Sequence, residues 1–178
     1  LEDEAGALRA ETGAALPAVR GGVYGADDRD RDLRTIAREL QQDMDRACTV
    51  LVNATGALSA TVYRPAGDDD WNRLVAVAKA GSTSDLVLEV DAREGIFGAA
   101  FKAAAPVCLN QVRHDDPRVV HRLDAHVGSI LALPLVDGER RWGVVVVDAE
   151  AAEHFAGRHR DLAGNVADFV SRLIARAV

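Results

Sequence analysis

The sequence predicts an α+β domain whose antiparallel sheet is covered on both faces. Three observations predict it. Residues 128–148, GSILALPLVDGERRWGVVVVD, place two apolar runs on either side of Asp137-Gly138, a turn pair that tolerates positive φ and marks a hairpin. Neither run alternates between apolar and polar, so both faces of that hairpin are expected to be buried. Two shorter stretches, 58–64 and 72–80, do alternate, and long segments of helical periodicity stand near both ends to supply the cover.

Composition narrows the class. The chain has 178 residues, 48% of them hydrophobic and 28% charged, enough for one domain with a substantial core. The formal net charge of −7, with no Lys/Arg run, argues against binding nucleic acid or an anionic membrane through this segment. Cys48 and Cys108 stand 60 residues apart, outside any CxxC spacing, which fits two free thiols in a reducing cytoplasm. No apolar run reaches transmembrane length and no signal-peptide pattern is present. The single Met is Met44, and RLIARAV stops mid-helix without a cap; both features suggest a segment processed or cut from a longer protein.

In chain order, residues 1–26 read as a linker or frayed helix, Ala/Glu-rich at first and then broken by Pro17, Gly21, Gly22 and Gly25. A domain of residues 27–178 follows. Asp27 or Asp28 is placed to cap a helix to about Asn53, with Leu33, Ala37, Leu40, Met44, Ala47, Leu51 and Ala54 in three-four spacing. Ile36, Val50 and Val52 widen this stripe beyond the needs of one sheet contact, as expected of a helix that also meets a partner helix. The strand 58–64 divides Ser59, Thr61 and Tyr63 from Leu58, Ala60 and Val62. Pro65 to Asp70 read as a solvated hairpin tip, since a triple Asp without a shaped loop is a poor cation cage. The strand 72–80 divides Leu74, Ala76 and Ala78 from Val75, Val77 and Lys79, and residues 86–90 form a short third strand. Gly95-Ile96-Phe97-Gly98 opens a short helix that ends at Pro106, and 107–109 is another short strand. Asp116-Pro117 reads as the N-cap and first residue of a helix to about Asp124. The last helix runs from Glu153 to Val178, with Phe155, Leu162, Val166, Phe169, Val170, Leu173 and Ala177 on its apolar face.

Candidate chemistry is sparse. His114, His121 and His126 share a segment with Asp115, Asp116 and Asp124, but His121 and His126 are five apart, as are His154 and His159, which misses the spacing of helical metal pairs. His121 is better read as a polar group lining a pocket. There is no GxSxG elbow, no cysteine framed by histidine, no phosphate-binding GK[ST] loop and no marked carboxylate pair. The expectation is a protein that is not an enzyme, with no identifiable cofactor or bound metal.

The order of the pieces resembles a GAF domain over residues 28–178. The family's G-x-x-G-x-A corresponds to Gly95, Gly98 and Ala100, its D-x-R segment to Asp116-Pro117-Arg118, and its S-x-x-x-x-P-L strand to Ser129, Pro134 and Leu135. Gly143-Val144 matches the G-V strand, and Phe155, Asp161-Leu162 and Ala167 match the last helix. The resemblance implies a GAF-like (PAS/profilin-like) six-stranded antiparallel sheet, with the two long helices on one face and short helices and loops over a small-molecule pocket on the other. It also accounts for Pro134 within an apolar strand.

Pocket positions carried over from the family are Thr61, Ile96, Phe97, Val120, His121, Asp124, Ser129 and Val146. Departures are informative: the N-K-x-F-D-E pattern of cyclic-nucleotide-binding relatives is absent, and Cys108 is followed by Leu109 where bilin-binding relatives have His. Relatives that reduce free methionine sulfoxide carry cysteines in the segment that here reads HRLDAHVGS. The resemblance thus implies a cytoplasmic ligand-binding input module of a histidine kinase, diguanylate cyclase or transcription regulator. The ligand is an unidentified small molecule. The module would form a homodimer through its first and last helices and pass a change in their packing to an effector domain in the same chain. The alternatives are a structural dimerisation module without ligand, and a redox or metal sensor using Cys108 or the histidine cluster.

Overall fold

The apolar runs form the middle of a six-stranded antiparallel sheet of order β3-β2-β1-β6-β5-β4. In chain order the computed structural model contains α1 (Ala26–Thr55), β1 (Ser59–Gly67), β2 (Asp70–Gly81), β3 (Glu89–Asp91), α2 (Gly95–Ala103), β4 (Val107–Leu109), β5 (Ser129–Asp137), β6 (Arg140–Ala149) and α3 (Gly157–Ala177). It describes residues 26–178 except 68, 124 and 125, with side chains from residue 30 onward. The reading of 1–25 as a linker therefore lies outside the described residues. The chain divides into two compact units, Leu1–Leu33 and Arg34–Val178, and the second carries the sheet.

Both faces of the β5–β6 hairpin are buried, as its lack of alternation requires. On one face Leu131, Leu133, Leu135, Val145 and Val147 pack with Met44, Ala47, Cys48 and Leu51 of α1 and with Ala163, Ala167, Val170 and Ile174 of α3. On the other face Ile130, Ala132, Val144 and Val146 pack with Ile96, Phe97 and Ala100 of α2. The hairpin register pairs Ala132 with Val146 and Leu133 with Val145, so each face receives matched positions from both strands. β4 begins opposite Ala132, so on the side away from β6, where Pro134 pairs with Val144, no described strand lies beside Pro134 to need its missing N–H.

Several expectations need correction. Pro65–Gly67 continue β1 rather than starting a loop, and the third strand is Glu89–Asp91 rather than 86–90. α1 starts at Ala26, so Asp27 and Asp28 lie within its first turn and do not precede it. The register between β1 and β2 shifts as Val62 meets Ala78 and Tyr63 meets Ala76, leaving Val77 as a bulge residue. The bulge sends Leu74 and Ala76 to the α2 face and Ala78 to the long-helix face, so these three residues do not share a side.

The helix expected after Pro117 is absent from the described residues. The Asp116 carboxylate accepts the Arg118 backbone N–H at 3.0 Å and pairs with its guanidinium. The chain beyond it bonds sideways instead: Val87 N–H donates to His121 O, Leu123 N–H donates to Asp85 O, and Leu86 bridges Arg122. Those lateral bonds occupy groups that a helix would need.

The last helix begins at Gly157, because Glu153 takes a left-handed φ of 56° and Ala156 N–H closes a turn on His154 O. It approaches the sheet through small residues, Ala163, Ala167 and Ser171 among them, while Phe169 is 49% exposed. Leu162, Val166 and Leu173 stay half-buried at its flank. The apolar face read from sequence is thus only partly the buried one.

The GxxG turn is shaped by close backbone approach. Gly95 has φ +54°, and a Cβ there would lie 2.4 Å from Arg118 O; a Cβ on Gly98 would lie 2.2 Å from Arg93 O. Ile96 N–H donates to the same Arg118 carbonyl at 3.0 Å, so the turn is clasped by the D-x-R loop. Gly98→Ala should accordingly lower stability by about 1–3 kcal/mol through overpacking, read as a lower urea midpoint with unchanged slope.

Candidate functional site

The sheet face under α2 carries one buried carboxylate, and the surrounding polar groups converge on it. Val144 and Val146 face α2, so two residues further along β6 Asp148 faces the same way, opposite Ser59 of β1. Asp148 is 1% exposed, and a carboxylate at that depth demands partners. It has three. His121 Nε2 lies 2.8 Å from Oδ1, Arg122 Nε donates to Oδ2 at 3.0 Å, and the Ser59 hydroxyl donates to Oδ2 at 3.1 Å. Because a carboxylate only accepts, the His121 Nε2 carries the hydrogen.

Arg122 ties this centre to neighbouring loops. Its Nη1 donates to Ser82 O at 3.0 Å and to Asp85 Oδ1 at 2.5 Å, and its Nη2 donates to the Ser59 hydroxyl. The side chain is 1% exposed, so the ion pair with Asp148 is almost fully removed from water. Burial alone would raise the Asp148 pKa. The His121 and Arg122 charges and hydrogen bonds outweigh that effect and hold the carboxyl below its usual range.

An aromatic stack covers the ionic centre. Phe97 of α2 sits edge-on to His121 with centroids 5.7 Å apart and edge-on to Tyr63 at 4.8 Å. The Tyr63 hydroxyl donates to Val87 O at 2.8 Å, and burial, with the Asp148 charge adding, pushes its pKa up. Two polar atoms in this layer have no partner among the described residues: Thr61 Oγ1 and His121 Nδ1. Beside Arg122, a small cavity of about 40 Å³ is lined by Val112, Val119 and Val127 together with Arg113, His114 and Leu123. That is room on the scale of a water molecule or two, not of a metabolite.

The structure therefore brings together six of the eight residues carried over from the family. Thr61 and Val146 are register partners, Ile96 and Phe97 are buried beside Val146, Val120 packs against the same cluster, and His121 lies at its edge. Ser129 is a correction. It pairs with Ala149, which faces the long helices, and its hydroxyl donates to Ala151 O at 2.8 Å, so it is not at the pocket. The odd positions of β5 all take that face, which puts Ser129 one step out of phase with the site. Asp124 lies outside the described residues.

Sequence reasoning missed Asp148, Arg122, Ser59 and Asp85. The signal for Asp148 was present: a charged residue at a pocket-facing step of the buried run 142–148 has to be paired.

The metal and redox alternatives gain little from the geometry. No three His, Cys, Asp or Glu side chains lie together as a metal set among the described residues. His114 and His126 rings stand 6.0 Å apart, while His121 is committed to Asp148. Cys48 is buried, and burial pushes its thiol up to about 12, with Asp45 adding, which disfavours the reactive thiolate. The Cys108 thiol donates to Asn110 Oδ1 at 3.0 Å.

Asp148→Asn should leave Arg122 short of a counter-charge and cost about 3–5 kcal/mol, read by urea unfolding at pH 7. The pH dependence has a fixed sign. A carboxyl lowered in the folded state stabilises fully above its unfolded value, about 3.9, and that contribution is lost as pH falls through its lower folded value. The wild-type chain should therefore lose stability on acidification below about pH 4, with a shallower loss in Asp148→Asn, measured as unfolding midpoints from pH 6 to pH 2.

Comparison with known proteins agrees with this fold. The GAF domain family model matches residues 37–175. The fold is similar to the GAF domain of a phosphoenolpyruvate-protein phosphotransferase from Acinetobacter, with TM-score 0.68 and 19% identity over 86% of this chain and 96% of that one. It is also similar to the second GAF domain of DevS from Mycobacterium smegmatis, with TM-score 0.60 and 23% identity over 78% of this chain and 94% of that one. A type II free methionine-R-sulfoxide reductase from Thermoplasma acidophilum aligns with TM-score 0.68 and 15% identity over 79% of this chain and 96% of that one. No curated protein shows significant similarity to the chain. With the family model matching well over half its length, the chain belongs to the GAF domain family, a sensory and regulatory module of signalling proteins.

Proposed function

We propose that this chain is an input module of a cytoplasmic signal-transduction or transcription-regulatory protein, in which a small molecule changes helix packing across a homodimer. The observation that carries the reading is surplus apolar surface on both long helices. Ile36 and Val50 of α1 are 44% and 49% exposed, and Phe169 of α3 is 49% exposed, although each helix already covers the sheet with a different stripe. Between the helices a groove of about 320 Å³ is lined by Val50, Val166 and Phe169, with Asp43 and Arg46 at its margin. A two-fold axis would set that stripe against its copy, as self-complementary dimer surfaces require. Among the described residues no helix is long and apolar enough to cross a membrane.

The ligand step uses the face under α2. Thr61 Oγ1 and His121 Nδ1 are buried hydrogen-bonding atoms without partners among the described residues, and both lie in the layer beneath Phe97. A planar ligand that displaces Phe97 would satisfy them and reach Arg122. Binding must favour one arrangement of the helices over the other for a signal to follow. The reading includes no catalytic step: the imidazole bonds the carboxylate, the carboxylate is held by Arg122, and residues 121–129 contain no thiol such as the sulfoxide-reducing relatives use.

A structural dimerisation module is the second reading. It is favoured by the dense packing of Tyr63, Ile96 and Phe97, each no more than 1% exposed, where a ligand would sit. Light scattering at micromolar concentration should give the mass of two copies under both readings, and Phe169→Asp should give one. Thermal unfolding against a metabolite panel separates them. A ligand at a hundredfold excess over its Kd adds about 2.7 kcal/mol and raises the midpoint, whereas no shift from any compound favours the structural role.

A further inference from the structure

A second surface, outside the ionic centre and the helix groove, is built from the two hairpin ends together with Phe101 of α2. Trp71 opens β2 and is 44% exposed, while Trp142 of β6 is buried. The two line one cleft of about 90 Å³ beside Pro65. Trp71 also borders an open groove of about 380 Å³ with Phe101, Arg140 and Arg141. The Arg140 guanidinium lies over the Trp142 ring at 5.5 Å and that of Arg141 over Phe101 at 5.9 Å. Neither arginine has a carboxylate partner among the described residues, so the aromatic rings are what hold their guanidinium groups. The Trp142 indole N–H is buried and has no acceptor among the described residues.

These groups share one chemistry. The polar side chains here are N–H donors apart from Glu139 at the groove edge, and Trp71, Trp142 and Phe101 supply aromatic faces beside Pro65 and Val178. An orphaned buried N–H is costly, and an incoming acceptor removes the cost. Tryptophan and arginine are also the side chains that dominate binding energy where proteins meet. The groove is too open to enclose a small molecule. A nucleic acid would bring a run of phosphates against a chain of net charge −7 and against Glu139, whereas a short segment needs only the two carboxylates that meet Arg140 and Arg141.

We propose that this surface docks an acidic, extended peptide segment of a partner protein. Carboxylates of the segment pair with Arg140 and Arg141, an apolar side chain packs on Trp71, and a main-chain carbonyl accepts from the Trp142 indole. Charge complementarity selects this occupant. Two arginines without a carboxylate partner among the described residues stand beside the chain's only two tryptophans.

The test uses the full chain and an array of ten-residue peptides in which Asp and Glu flank one central apolar or aromatic residue. A matched array carries Lys at every acidic position, and inorganic phosphate is titrated separately. Members of the acidic array should bind saturably, with a change in fluorescence from the chain's two tryptophans. Arg140→Glu/Arg141→Glu and Trp71→Ala should each weaken that binding about tenfold or more at unchanged thermal midpoint. Trp142→Phe keeps the ring and removes the N–H, so it should weaken binding while leaving Arg140 stacked. No saturable binding across the acidic array, equal binding of the Lys array, or full affinity in the Arg140/Arg141 variant would each overturn the proposal. An equal response to phosphate alone would reassign the surface to a small anion. Concentration-dependent self-association abolished by Trp71→Ala would reassign it to a second copy of the chain.

Discussion

Asp148 is a carboxylate at the end of a strand that is apolar on both sides, and its burial sets conditions that several distant segments have to meet. Its charge survives there because Arg122, His121 and Ser59 all bond it. Arg122 in turn reaches Ser82 O and Asp85, so one ionic centre holds the loop before β3 and the stretch after Pro117 against β1 and β6. A buried pair of this kind adds little net stability compared with apolar packing, but breaking it is expensive. Its effect is therefore on geometry. It dictates which conformation residues 118–123 adopt, and the lateral bonds of His121 O and Leu123 N–H follow from that.

The same centre explains why the two faces of one hairpin differ in character. Toward α1 and α3 the packing is apolar and built on small helix residues, so the helices lie close and leave Ile36, Val50 and Phe169 exposed. Toward α2 the packing combines an aromatic stack with hydrogen-bonding atoms that no described residue satisfies, Thr61 Oγ1 and His121 Nδ1. The first arrangement suits a surface that transmits packing changes, the second a site whose closed form is complete only in part. GAF motif residues divide along this line: Gly95 and the Asp116-Pro117-Arg118 loop clasp one another and Gly98 lies against Arg93 O, all structural contacts, while Phe97 and His121 stand at the centre of the site.

How much of this was legible depended on whether the information was local. The doubly buried hairpin could be read directly from residues 128–148, because missing alternation has one physical meaning. The β1–β2 bulge could not: Val77 looks like any other strand residue until Val62 and Tyr63 choose their partners. The expected helix after Pro117 had a sound local start in Asp116-Pro117 and lost to tertiary bonds that no local pattern encodes. Ser129 failed for a related reason, since a motif position does not give the phase of a strand. Asp148 was visible as a charge closing a buried run, and the rule that such a charge needs partners would have led to Arg122, next to the histidine already singled out.

Hydrogen exchange on the wild-type chain and on Asp148→Asn tests most directly whether this carboxylate holds the α2 face together. The N–H groups of Val87 and Leu123, bonded to His121 O and Asp85 O, report on the attached segment, and those of β5 and β6 report on the sheet. The account predicts that Asp148→Asn strips protection from Val87 and Leu123 well before it affects the β5–β6 ladder. Equal loss at both places, or full protection retained at Val87 and Leu123, would contradict it.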